Sequence, residues 1–204
     1  NIISVMGDDY KKYIDELSQM HFVEKVGIAS DSFIRYVYPQ ELKGVNWVPL
    51  RMDQNAFDML GIKVKEYLEL SGVSLQNAYT TEKGLQLAAS LNMSAWENKY
   101  IGILEDVHFG SVKEISSENT IFDIVIKDDY SQYFKGNILI KVSGDQDEAK
   151  EQIRKFFMEK GEETPQLTIQ TLEEANLMNY EEESKLMRLV AVFSLISILL
   201  TALA

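Results

Sequence analysis

In the stretch LEDVHFGS, Glu105, Asp106 and His108 stand within four residues, and two carboxylates beside an imidazole are side chains that proton transfer or divalent-metal ligation can use. Convergence is the obstacle. If a strand runs through the stretch, Asp106 and His108 share one face while Glu105 points to the other, and a bulge would be needed to bring the three together. His21 is the only other histidine, and no HExxH or comparable spacing completes a ligand set. The stretch therefore reads as a strand end at which Asp106 and His108 make turn hydrogen bonds. Ser111, Ser116 and Ser117 have no neighbouring base and no nucleophile elbow, and no glycine-rich phosphate loop occurs. Glu181, Glu182 and Glu183 are adjacent on a helical pattern, so they diverge and read as a solvated face. Asn92-Met93-Ser94 matches a glycosylation sequon, a pattern that arises often by chance. The expectation is a chain with no catalytic, cofactor-binding or metal-ligating residue, no cofactor and no enzymatic activity.

Composition narrows the class further. The 204 residues are 46% hydrophobic and 25% charged, enough to bury a core as one large domain or two small ones. A net charge of −12 opposes the counterion-release attraction that draws proteins to nucleic acid. The absence of cysteine excludes disulfides and thiol chemistry and fits either a cytoplasmic or a bacterial envelope protein. The N-terminal NIISVMGDDYKKYIDEL lacks the basic and apolar regions of a signal peptide, so the chain is expected to be an excised segment of something longer.

The elements that would position any functional surface are legible as two similar units. Ile2 to Met6 reads as a strand. Tyr10, Tyr13, Ile14, Leu17 and Met20 recur at helical spacing behind a cap at Asp8 or Asp9, and Phe22 to Ala29 alternates with Phe22, Glu24, Val26 and Ile28 on one side. Late in the chain, Ile138, Ile140 and Val142 alternate, Gly144-Asp145 turns and caps, Ala149, Ile153, Phe156 and Phe157 line a helix that Gly161 ends, and Leu167 and Ile169 alternate again. Two β-α-β units far apart predict the halves of a split ferredoxin-like sandwich, with about 33–135 inserted between them. Within the insertion, Val48, Leu50 and Met52 predict a strand. Asp53 caps a short helix that Gly61 stops, Ile62 to Leu70 predicts a strand, and Thr80 or Thr81 starts a helix with Leu85, Ala88 and Leu91. The runs KYIGILEDV and TIFDIVIK, apolar on both faces, read as buried strands.

No Gly or Pro occurs from Leu172 to Ala204, and the pattern predicts one helix of about 30 residues, roughly 45 Å long. Its last 16 residues, Leu189 to Ala204, are uncharged, just short of the roughly 18 of a spanning helix. The reading is a transmembrane helix cut within its length. The competing reading, a buried core helix with Ser194, Ser197 and Thr201 facing a partner, lacks the polar stripe a surface helix would show.

The order of these features carries a resemblance. YIGILEDVHFGSVKEI, residues 100–115, resembles the VIGVVKDFHFxSL signature in extracytoplasmic domains of FtsX/MacB-like ABC transporter permeases of the Bacteroidetes type, with Ile101-Gly102-Ile103, Asp106, His108-Phe109 and Ser111-Val112 on the motif. MDQNAFDMLGIKV, residues 52–64, is similar to the family's VDxxFFxxLGIKLLxGR, with Glu66-Tyr67 in place of GR. TTEKGLQLAASLNM is similar to its INExAAxxLG, with Asn92 in place of the glycine, and NILIKVSGDQDEAKEQIRKFF and RLVAVFSLISILLTALA match its later strand-turn-helix and second transmembrane helix.

That resemblance implies an α/β (α+β) fold: a discontinuous porter-like subdomain over 1–73 and 131–172, an inserted small α/β lobe over 74–130, and a long helix over 173–204 of which 189–204 starts the transmembrane helix. It implies a periplasmic domain that relays movement, driven by a separate cytoplasmic ATPase subunit, to substrates or partner proteins outside the membrane. The chain itself catalyses nothing. A second permease copy, the membrane through the C-terminal helix and a periplasmic partner protein would be its neighbours, on the periplasmic or extracellular side of the bacterial inner membrane. Two other classes compete: a ligand-binding sensor ectodomain of a membrane receptor, and an envelope hydrolase.

Overall fold

Ile3 and Val5 alternate with Ser4 and Met6 at the start of the chain, so this strand buries side chains on both faces and needs neighbours on both sides. The computed structural model describes residues 1–6, 10–30, 40–42, 45–68, 77–90, 100–105, 120–126, 136–162, 167–179 and 185–194. In chain order the elements are β1 (Ile2–Met6), a 3-10 turn (Tyr10–Tyr13), α1 (Ile14–Ser18), β2 (Val23–Ser30), β3 (Gln40–Leu42), β4 (Val45–Met52), α2 (Gln54–Met59), β5 (Val64–Tyr67), β6 (Asn77–Thr81), α3 (Glu82–Ser90), β7 (Tyr100–Leu104), β8 (Thr120–Ile126), β9 (Gly136–Val142), α4 (Gln146–Glu159), β10 (Thr168–Thr171) and α5 (Leu172–Asn179). A further helix occupies 185–194.

All ten strands join one mixed sheet in the order β10-β1-β9-β2-β4-β8-β6-β7-β5, with β3 paired to β4. The first four strands are antiparallel to their neighbours and belong to two interleaved units, β1-α1-β2 and β9-α4-β10. That is the expected split ferredoxin-like arrangement. Leu17 of α1 and Ala149, Ile153 and Phe157 of α4 cover Ile3, Val5, Ile138, Ile140 and Val142 on one face. The cap and stop of α4 fall where the sequence puts them, while the expected cap of the first helix, Asp8 or Asp9, lies outside the described residues. Asp145 accepts from the amides of Asp147 and Glu148, and Gly144 and Gly161 take the left-handed φ of 79° and 73° that favours glycine.

The other face of the same four strands is also covered. Met6, Ala29 and Leu139 pack with Leu50, Met52, Ala56 and Phe57, and this core continues through Ile124 and Ile126 to Tyr79 and Leu104. Strands β8, β6, β7 and β5 thus extend both the sheet and its core. β4 and β8 are parallel, as are β6 and β7, which α3 connects, while β5 closes the far edge antiparallel to β7. The expected lobe boundaries at 73/74 and 130/131 lie outside the described residues.

Three expectations are modified. The first helix is a 3-10 turn followed by only five α-helical residues, although Tyr13 and Leu17 are buried as its spacing implies. Glu24 does not share the buried face of Val26. The β2–β9 register shifts between Val23 and Lys25, and the Glu24 carboxylate is exposed 2.8 Å from Lys141 Nζ, sparing the chain a buried charge. β5 is shorter than Ile62 to Leu70, ending at Tyr67.

α2 is seated closely on β2. Asp53 caps it by accepting from Ala56 N at 2.7 Å, Asp53 N donates to Ile28 O at 2.9 Å, and Asn55 Nδ2 donates to Val26 O at 3.0 Å. At Gly27 a Cβ would lie 2.5 Å from Ala56 N and 2.9 Å from Ala56 Cα, both backbone atoms. Gly27→Ala is therefore expected to lower stability by about 1–3 kcal/mol, the usual effect of overpacking. Urea unfolding checks it; an unchanged midpoint would mean that α2 is not held against β2.

Candidate functional surface

Among the described residues, no group of three His, Cys, Asp or Glu residues could hold a metal ion. Glu105 is exposed beyond β7 and its amide donates to Lys63 O at 3.0 Å, tying the end of β7 to the start of β5. His21 is exposed with its ring edge-on to Phe22. Asp106, His108, Ser111, Ser116, Ser117, the Asn92 sequon and Glu181 to Glu183 lie outside the described residues.

The strongest buried polar contact is one that pattern reading missed. Tyr100 on β7 is fully buried and donates its hydroxyl to Asp123 Oδ1 on β8 at 2.6 Å, although β6 lies between these strands. Ala78 and Thr80 of β6 are fully buried, and the small side chain of Ala78, packed against Tyr100, leaves room for the phenol to cross. Burial first, then the Asp123 charge, push the Tyr100 phenol far above its ordinary range, so it stays protonated as a donor. The one available signal was an aspartate in the middle of the apolar run TIFDIVIK. Elsewhere among the described residues, Ser4 Oγ and both side-chain polar atoms of Asn137 are buried without a partner.

The start of β1 and the end of β10 lie together at one end of the sheet. Ile3 of β1 lies opposite Thr171 of β10, so the chain starts and α5 departs on adjacent strands. Thr171 ends β10 and also caps α5. Its Oγ1 accepts from Glu174 N at 3.0 Å while Glu174 Oε2 accepts from Thr171 N at 2.7 Å, the reciprocal capping box that the spacing Thr171-Leu172-Glu173-Glu174 encodes. Lys150 Nζ of α4 donates to Glu174 Oε1 at 2.7 Å, and this bond is the chief cause holding the Glu174 carboxyl below its ordinary range.

Helix 185–194 differs from the other described helices in its exposure. Leu186, Met187, Leu189, Val190, Val192 and Phe193 are all more than half exposed, Met187 to 74%. Among the described residues no helix is long and apolar enough to cross a membrane. Residues 180–184 and 195–204, which the expected continuous helix includes, lie outside the described residues.

No protein-family model and no curated protein matches the chain. Two solved transporter ectodomains are similar to it. The periplasmic region of MacB from Actinobacillus actinomycetemcomitans is 12% identical, with 89% of this chain and 93% of that one covered at a TM-score of 0.47. The extracellular domain of the noncanonic ABC-type transporter YknZ from Gram-positive bacteria is 14% identical, with coverage of 84% and 99% and a TM-score of 0.46. At such scores the likeness carries no weight for mechanism, and the α/β assignment stands on the strand order itself.

The Tyr100 contact has a pH signature. A phenol whose folded pKa is raised contributes stability that is complete below the unfolded value near 10 and is lost as pH rises beyond it. Tyr100→Phe is expected to cost about 1–3 kcal/mol at pH 7 by removing one donor from the buried Asp123 carboxylate. It should also reduce the further loss between pH 7 and pH 11. Urea unfolding at both pH values measures this, and an equal alkaline loss in the two proteins would refute the assignment.

Proposed function

We propose that the chain is the extracytoplasmic domain of an ABC transporter permease of the FtsX/MacB-like kind, relaying movement driven by a cytoplasmic ATPase to substrates or partner proteins outside the membrane. The observation that carries this reading is the helix 185–194, whose large apolar side chains are exposed while those of the other described helices largely pack on the sheet. Burying each such side chain is worth about 1.5–3 kcal/mol, so in water the helix favours an apolar surrounding. In this reading β1 and the start of α5, which lie on neighbouring strands, share a membrane-facing end. The motif order over residues 52–64, 80–93 and 100–115 supports the same family. In this reading 1–73 with 131–172 forms the porter-like subdomain, 74–130 the inserted lobe and 189–204 the start of a transmembrane helix. The chain performs no catalysis and binds no cofactor; its neighbours are a second permease copy and the bacterial inner membrane.

Truncation after Lys185 tests the reading. Because the removed side chains of 186–194 are exposed, the melting temperature should move by less than the ~2–4 °C that 1 kcal/mol makes in a chain of this size. The whole chain should float with neutral phosphatidylcholine vesicles, chosen because the net charge of −12 would oppose an anionic surface, and the truncated chain should stay in solution as a smaller species. If truncation unfolds the sheet, the tail is a core helix and the membrane reading is wrong.

A further inference from the structure

Two helices flank β10, the edge strand, and they pack on opposite faces of the sheet: α4 places Ala149, Ile153 and Phe157 in one core, whereas α5 places Leu172 and Ala175 against the other. Their anchoring differs. Ile153 and Phe157 of α4 are fully buried. Of the described side chains of α5, only that of Ala175 is buried, while Leu177 is 65% exposed. Among the described side chains, Ala175 and the partly buried Leu172 are the apolar anchors of α5, both within its first four residues. The polar contacts at its first turn are more specific, since Thr171, the last residue of β10, is itself the cap and no linker separates strand from helix.

We propose that Lys150, Glu174 and Thr171 form a clasp round the edge of the sheet that fixes the direction in which α5 leaves it. Thr171 and Glu174 close the capping box, and the second oxygen of Glu174 is taken by Lys150, which also lies 3.0 Å from Asp147 Oδ1. Lys150 stands beside Ala149 on the best-anchored helix and its side chain is only 16% exposed, so it is shielded more than an ordinary surface lysine. The three residues make the turn from β10 into α5 part of the rigid sheet instead of a hinge. What this does for transport rests on the membrane reading above: a rotation of the α4 and β10 side of the sheet would be carried into the chain beyond α5. The clasp itself does not depend on that reading.

Because the chain has no cysteine, two introduced ones report cleanly. Spin labels at Glu151 of α4 and Leu177 of α5, both exposed, measure the angle between the helices in the 204-residue chain in dodecylmaltoside. The expected result is one narrow distance distribution, at least doubled in width by Lys150→Met or by Glu174→Gln, with the double variant no broader than either single one and Lys150→Arg restoring the narrow peak. Amide exchange in Ala175–Asn179 should rise about fivefold in Thr171→Ala, as for loss of a helix cap, with that of β9 unchanged. An unchanged distribution in Lys150→Met overturns the clasp. Vesicle flotation of the same labelled chains scores the membrane reading separately: a chain that fails to float but broadens with Lys150→Met refutes that reading and supports the clasp.

Discussion

The backbone hydrogen bonds that hold β9 between β1 and β2 join segments more than a hundred residues apart, with Ile138 opposite both Val5 and Ile28. Closing so long a loop is unfavourable, though the entropic cost grows only slowly with length. It is offset because β9 buries both faces: Ile138, Leu139 and Ile140 are essentially inaccessible, the first and third facing α1 and α4, the second facing α2. A strand buried on both sides cannot slip by one residue without exchanging its two cores, so its register also orders the strands around it.

That constraint explains why the inserted residues join the sheet. The split unit leaves the outer side of β2 and the face opposite α1 and α4 open. β4 pairs with β2 and α2 covers the face, approaching so closely that position 27 accepts only glycine. β8, β6, β7 and β5 then extend from β4 over a core continuous with the first. Deep in this extension Asp123 is accommodated by Tyr100 reaching across β6, a polar link between non-adjacent strands in otherwise apolar surroundings.

Against this background the exposed apolar helix 185–194 stands apart from the rest of the described chain, whose larger apolar side chains mostly face the sheet. The net charge of −12 opposes association with polyanions, and among the described residues no group of three His, Cys, Asp or Glu could hold a metal ion.

Periodicity and punctuation in the sequence determined most of the local structure by themselves. The alternation of Ile138, Ile140 and Val142, the caps at Asp53 and Asp145 and the stops at Gly61, Gly144 and Gly161 are local matters of side-chain spacing, side-chain oxygens and left-handed backbone, and they stand where the residues imply. The two β-α-β units were legible for the same reason. The partner of each strand was not, because pairing depends on side chains distant in sequence: β5 next to β7, the register shift that frees Glu24, the reach of Tyr100 to Asp123 and that of Lys150 to Glu174. Thr171 and Glu174 could have been read as a capping box from their spacing alone. That the box faces a lysine from a helix on the other side of the sheet was decided only by the tertiary fold, since only the fold brings residues 150 and 174 within hydrogen-bonding distance.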